Sequence, residues 1–412
     1  MEQLVTRRCE PVARVILGTM PGLLLEGGRQ VGKSTLARQL AGDDAVAVSL
    51  DDELTLAAAT NDPAGFVAQA PDRTLVIDEI QWLPSLMQAI LDSIDEDPRP
   101  GRFIITASSS IERAGITGLS GRVGRLNLYG LSRGEMGGGR DDFAAGLVAS
   151  ERPTSYSSTL SRGAYARIIE AGAFPEATDL LDHRRQRWLD DYAHGIVTKD
   201  MPRLRRIFKQ DRAISLLHLM AAAQAGELIK SHLAEDADIP ATTIDGYIDL
   251  LADTWLFATL PTWAPNFSDR ELVRPKGLII DSGLATRLWR FTAKQLSSIV
   301  FAEAFESLLE GLVISELLRQ RTWTALPFDL YHYRDRMGAQ VDLIMQLAGG
   351  RIIALEVRAT SSFQESQFKH LKALRDKMGS KFIAGVVLNT GQLGYPYDDR
   401  LYGLPTSAVW QL

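Results

Sequence analysis

The segment Gly27-Gly28-Arg29-Gln30-Val31-Gly32-Lys33-Ser34 follows an apolar run, Leu23–Glu26, and precedes a helical stretch, Thr35–Ala41. It matches the pattern G-x-x-x-x-G-K-[ST] in the context that pattern needs, a buried strand before it and a helix after it. Glycines allow the backbone to curl so that successive N–H groups converge on phosphate oxygens. The helix that follows adds the positive end of its dipole. Lys33 is then expected to reach the β- and γ-phosphates of a nucleotide, and the Ser34 hydroxyl to ligate Mg²⁺. The residues expected to line this site are Gly27, Gly28, Arg29, Gln30, Val31, Gly32, Lys33, Ser34 and Thr35.

A second apolar run, Thr74–Ile77, ends in the adjacent carboxylates Asp78 and Glu79. At the C-terminal edge of a parallel sheet, Asp78 would face the metal across the phosphate loop. Glu79 would then serve as general base toward water. A third run, Phe103–Thr106, leads into Ser108-Ser109-Ser110, where Ser108 or Ser109 is placed to orient that water; a serine-capped turn explains the same residues equally well. Arg122, in Leu119-Ser120-Gly121-Arg122-Val123-Gly124-Arg125, is the preferred candidate for an arginine finger, acting within the chain or from a neighbouring subunit. Together with Val46–Ser49 and Leu126–Tyr129, these runs predict a parallel sheet covered by helices on both faces.

Composition narrows the classes further. Among 412 residues with a formal charge of -6 there is one cysteine, Cys9, which excludes an intramolecular disulfide framework and a cysteine-rich zinc site. The six histidines show no metal-ligand spacing. No run approaches the roughly 20 apolar residues of a membrane helix. The start of the chain has no apolar secretory core, so a soluble, cytoplasmic protein is expected.

The expected organisation is an α/β core over residues 1–136, a helical region over 137–295 and a mixed α/β domain over 296–412. Within the middle, Gly226–Ala237 and Thr242–Thr254 read as two helices joined at Asp238-Ile239-Pro240, consistent with a winged-helix module and with many helical bundles. A long helix is expected over Phe301–Gln320.

The phosphate loop, Ile-Asp-Glu-Ile-Gln, Thr-Ala-Ser-Ser-Ser and Leu-Ser-Gly-Arg-Val-Gly-Arg together resemble the AAA_14 group of AAA-type ATPases, which usually carry a C-terminal DUF4143 domain. Residues 171–177, 278–284 and 309–317 resemble that domain. The resemblance implies a P-loop NTPase core of the AAA+/ASCE type, a winged-helix-like middle and a C-terminal fold similar to PD-(D/E)XK (restriction-endonuclease-like) nucleases. It also implies ATP, rather than another nucleotide, as the ligand.

At the C-terminus, Gln340–Leu347 and Arg351–Arg358 flank Ala348-Gly349-Gly350 and read as a β-hairpin. With Leu347 opposite Arg351, Asp342 falls opposite Glu356. Facing carboxylates repel unless a cation or proton lies between them, so a second Mg²⁺ site is expected there, with Arg358 as a phosphate contact. The resemblance suggests Glu310 as a third carboxylate. The chain departs from the nuclease pattern at Arg358, where a lysine is usual, because guanidinium cannot readily accept a proton from water. A basic stretch, 184–212, interleaves Trp188, Tyr192 and Phe208. It is a candidate nucleic-acid surface, a solvated helix face, or a contact to a neighbouring subunit's nucleotide in a homo-oligomer. The expected activity is ATP hydrolysis, coupled to a C-terminal domain whose nuclease chemistry is in doubt. The alternatives are an ATP-regulated nuclease and a non-hydrolysing ATP switch.

Overall fold

The computed structural model describes residues 4–111, 118–150, 153–205, 208–264, 274–335 and 338–412. The chain divides into two units, residues 1–131 with 253–255, and residues 132–252 with 256–412.

In the first unit five parallel strands, β1 (Gly22–Glu26), β2 (Val46–Ser49), β3 (Leu75–Asp78), β4 (Phe103–Ala107) and β5 (Val123–Asn127), lie in the order β2-β3-β4-β1-β5. Four of the five apolar runs expected from sequence coincide with observed strands to within a residue, the fifth, expected over Leu126–Tyr129, lies instead at Val123–Asn127, and the order in the sheet is not the chain order. Val46–Ser49 falls between the phosphate loop and Asp78 along the chain, yet it is β4 that separates β1 from β3 in the sheet. Burial explains the exchange. All five residues of β4 are buried, as a central strand requires, whereas β2 is only partly covered and takes the edge. The helix Leu86–Glu96 presents Leu86, Ile90, Leu91 and Ile94 at helical spacing to Ile77, Phe103 and Ile105. Each such side chain contributes about 1.5–3 kcal/mol on burial.

The second unit opens with helices that include Arg162–Ala171 and Asp182–Gly195, followed by the helix Gln210–Ala222, β6 (Gly226–Glu227), the helices Lys230–Asp236 and Ile244–Asp253, and the strands β7 (Phe257–Leu260) and β8 (Lys276–Ile279). The strands form an antiparallel sheet in the order β6-β8-β7. Three helices with a small sheet of this order make a winged helix. The single helix expected over Gly226–Ala237 is therefore a short strand followed by a shorter helix. The segment Gly226-Glu227 pairs with Gly277 and Lys276, a long-range partner that local periodicity does not reveal.

The remainder contains the helix Ala302–Gln320, the strands β9 (Phe328–Arg334), β10 (Gln340–Leu347) and β11 (Ile352–Val357), the helix Lys369–Met378 and β12 (Phe382–Asn389). Together with β13 (Tyr395–Asp398) and β14 (Leu401–Pro405), these strands form a mixed sheet, β13-β14-β12-β11-β10-β9. The β10–β11 hairpin has the expected register, with Leu343 opposite Leu355 and the Leu347 N–H donating to the Arg351 carbonyl at 2.8 Å.

Two of the segments singled out in the sequence meet at Asp281. Its carboxylate caps the helix Ser282–Leu288 by accepting the Leu284 N–H at 2.8 Å, and it accepts the Ala173 N–H, also at 2.8 Å. Burial pushes this acid up from its ordinary range, against the pull of those two donors. Replacing it with alanine strands both buried N–H groups. Asp281→Ala is expected to destabilise this unit by about 2–5 kcal/mol, read as an earlier urea midpoint by circular dichroism.

Candidate nucleotide site

The phosphate loop is shaped by two close constraints. A Cβ on Gly27 would lie 1.9 Å from the Leu128 carbonyl oxygen, so only glycine permits β1 to leave the sheet at this point. Gly32 has φ +96° and Gln30 φ +59°, left-handed positions that turn the intervening N–H groups inward. The helix Lys33–Ala41 starts directly after Gly32. Arg7, which sequence reasoning missed, pins the loop from outside. Its guanidinium donates to the carbonyls of Val31 and Tyr129, each at 2.8 Å, and is itself buried.

Lys33 is 4% exposed, and its ammonium donates to the Gly28 carbonyl at 2.7 Å and the Ser108 hydroxyl at 2.8 Å. Burial lowers its pKa to about 8, although Glu79 and Asp78 oppose the shift. Ser34 donates its hydroxyl to both Asp78 oxygens, each at 2.9 Å. Thr106, near the end of β4, also donates to Asp78 and accepts the Glu79 N–H at 3.0 Å.

Glu79 sits at φ +62°, an uncommon conformation for a side chain of this size and one often kept where geometry matters for function. Its two carboxylate oxygens face different partners. Ser108 donates to Oε1 at 2.6 Å, and the buried Gln81 amide donates to Oε2 while accepting the Ser108 N–H at 3.1 Å. The central position of β4 thus brings Lys33, Ser34, Asp78, Glu79 and Ser108 into one hydrogen-bonded set. Thr106 and Gln81 were not singled out from sequence as site residues. Gln81 lies within the quoted Ile-Asp-Glu-Ile-Gln, and Thr106 within the quoted strand end, which were the signals available.

The arginines are placed differently. Arg122 does not join this set. It forms a two-pronged pair with Asp95, at 2.6 and 2.8 Å, with 39% of its side chain exposed. Arg125 pairs with Glu26, a buried acid at the end of β1. Arg29 lies at the rim, 4.0 Å from Glu79 and 3.9 Å from Asp51, with its guanidinium 5.7 Å from the centre of the Trp82 ring.

In the second unit Asp342 and Glu356 come together with Arg358, which donates to Asp342 Oδ2 at 2.9 Å and to Glu356. Glu310 reaches the same group through a residue absent from the sequence-based set. Lys276 on β8 lies 2.5 Å from Glu310 and 3.5 Å from Asp342. Among the described residues no group of three His, Cys, Asp or Glu side chains is arranged to hold a metal ion.

In the basic stretch, Trp188 and Tyr192 stack at 5.2 Å and both pack on Phe174. Phe208 meets Tyr247 edge-on. Arg185 turns inward to the carbonyls of Thr178 and Leu180, and Arg212 pairs with Asp238. Arg206 lies outside the described residues. No described helix is long and apolar enough to cross a membrane.

Comparison with known proteins finds relatives, solved structures and family models. The uncharacterized proteins Rv2008c of Mycobacterium tuberculosis and Mb2031c of Mycobacterium bovis are each 25% identical to it, with 98% of this chain and 85% of theirs covered. Among solved structures, the Holliday junction branch migration motor RuvB of Thermotoga maritima aligns with 61% of this chain and 85% of its own, at 17% identity and a TM-score of 0.27. The AMPPCP-bound DnaA of Aquifex aeolicus aligns with 59% and 86%, at 11% identity and a TM-score of 0.24. Scores this low carry no functional weight. Of the three segments that resemble DUF4143 in sequence, only 309–317 lies within the residues matching that domain; 171–177 and 278–284 fall within DUF8612. In succession, residues 20–137 match the AAA domain model AAA_14, residues 162–295 match DUF8612 and residues 305–409 match DUF4143, the last two being domains of unknown function.

Proposed function

We propose that the protein is a Mg²⁺-dependent ATPase whose chemistry takes place at the C-terminal edge of the five-stranded sheet. The observation that carries this reading is the connected set Lys33–Ser108–Glu79 beside Ser34–Asp78, which groups a phosphate-binding ammonium, a metal-type oxygen pair and a carboxylate base. A hydroxyl and a carboxylate 2.9 Å apart are hard oxygen donors of the kind Mg²⁺ prefers, so Ser34 and Asp78 would hold it. Once bound, the metal would neutralise charge building on the β- and γ-phosphate oxygens.

The chain's own groups do the rest. N–H groups of the loop and the Lys33 ammonium hold the triphosphate. Ser108, already bonded to both Lys33 and Glu79, aligns the water. Glu79 Oε1 takes the proton as that water attacks the γ-phosphorus and the bond to the β–γ bridging oxygen breaks, releasing ADP and phosphate. The match to an AAA domain favours adenine. Arg122 is assigned as a finger toward a neighbouring subunit's nucleotide, because an exposed pair with Asp95 is worth little and exchanges readily for phosphate.

Lys33→Ala is expected to abolish ATP binding in calorimetry. Glu79→Gln is expected to keep that binding and lower phosphate release by about 10²–10⁴-fold. Equal turnover in wild type and Glu79→Gln would refute the assigned base.

The pH dependence has a defined sign. A lysine whose pKa in the free protein is about 8 loses its charge as pH rises through that value, and bound phosphates restore it. ATP binding is therefore expected to take up a proton above pH 8, with affinity falling by up to about tenfold per pH unit. Calorimetry in buffers of differing ionisation enthalpy measures this directly; an affinity that stays flat from pH 7 to 10 rules the coupling out.

A further inference from the structure

The facing carboxylates Asp342 and Glu356, with Glu310 added by the resemblance to nucleases, lead to the expectation of a divalent ion, and the donors around these acids do not fit one. Lys276, on a strand of the winged helix, lies 34 residues before Glu310 in the chain. Its ammonium donates to Glu310 Oε1 at 2.5 Å and to Asp342 Oδ1 at 3.5 Å. The other Asp342 oxygen accepts from Arg358 at 2.9 Å and from the Val357 N–H at 3.0 Å. Arg358 also bonds Glu356 Oε2 and lies 3.9 Å from Glu306. Exposure of the Lys276, Glu310, Asp342 and Glu356 side chains is 15, 12, 12 and 1%.

Mg²⁺ needs about six oxygens at roughly 2.1 Å in near-octahedral geometry. Here the facing lone pairs are already taken by N–H donors, and two positive groups stand between the acids. The distribution of charge is nearly closed, with three buried carboxylates against one ammonium and one guanidinium. The remaining negative charge falls on Glu356, whose Oε1 is buried with no hydrogen-bond partner among the described residues. Burial first, and Asp342 second, push that acid well above its ordinary range, and burial likewise raises Glu310 to about 8 against the pull of Lys276.

We propose that Lys276, together with Arg358, is a built-in cation of the C-terminal domain, holding the position between Glu310 and Asp342 that a divalent ion would otherwise take, so that this cluster binds no metal. Burying carboxylates without such a counter-charge is strongly unfavourable. Lys276 also ties a strand of the small antiparallel sheet to the helix Ala302–Gln320 and to β10. This inference does not depend on the proposed ATPase reaction.

The test is Mn²⁺ binding to the full chain, followed by electron paramagnetic resonance without nucleotide. An Asp78→Asn background silences the site in the first unit. With Lys276 present, no Mn²⁺ uptake sensitive to Asp342→Asn is expected. Lys276→Met is expected to gain one Mn²⁺ site, which adding Asp342→Asn removes. Without Mn²⁺ that variant should melt lower by about 6–20 °C, and Mn²⁺ should recover part of the loss. Asp342-dependent Mn²⁺ binding in the protein that retains Lys276 overturns the proposal, as does a folded Lys276→Met chain that acquires no site. If Lys276→Met folds only when Mn²⁺ is added, as seen by circular dichroism, the proposal stands. If it folds under neither condition, the arms that retain Lys276 decide.

Discussion

A buried ammonium must find acceptors or lose its charge, and much of the first unit is arranged around that requirement. Lys33 starts the helix after the phosphate loop and is almost wholly enclosed. Its two acceptors come from the loop itself and from the residue following β4. That second acceptor, Ser108, is available only because β4 runs between β1 and β3. Strand order, loop conformation and the placing of Glu79 are thus linked through one side chain. The left-handed backbone at Glu79, which by itself costs about 1–3 kcal/mol, is held by the Thr106 hydroxyl on its N–H and by Ser108 and Gln81 on its carboxylate.

The second unit answers the same physical problem with the signs reversed. There the costly buried charges are carboxylates, and the chain supplies nitrogen donors from β8 and from the residue that follows β11 to meet them. Both clusters lie at sheet edges where several elements converge. They differ in what is left over. In the first, hydroxyls and carboxylate oxygens face one another, with the oxygen donors that a hard cation prefers. In the second, the oxygens face N–H groups.

How much of this was legible in the sequence follows from how far apart the partners lie. The phosphate loop, the Asp78-Glu79 strand end and the β10–β11 register are local patterns of fewer than twenty residues, and the structure places them as the periodicity and turn residues indicate. Sheet order was not legible, because Val46–Ser49 and Phe103–Ala107 are both short apolar runs, and only packing decides which lies inside. The short β6 was lost for a similar reason, since its partner lies about fifty residues away. Lys276 and Arg7 carry no motif at all; each matters through what it meets across the fold. The aromatic residues in the basic stretch were ambiguous by composition, and in the structure they pack on one another and on Phe174 and Tyr247.

Arg7 has a further consequence. One guanidinium fastens the crest of the phosphate loop at Val31 to the backbone just beyond β5 at Tyr129, joining stretches that lie nearly a hundred residues apart in the chain. It works as a linchpin. A version of the protein translated from a later start codon would retain every recognisable signature and still have a slack loop, so an intact motif is no guarantee of an intact grip.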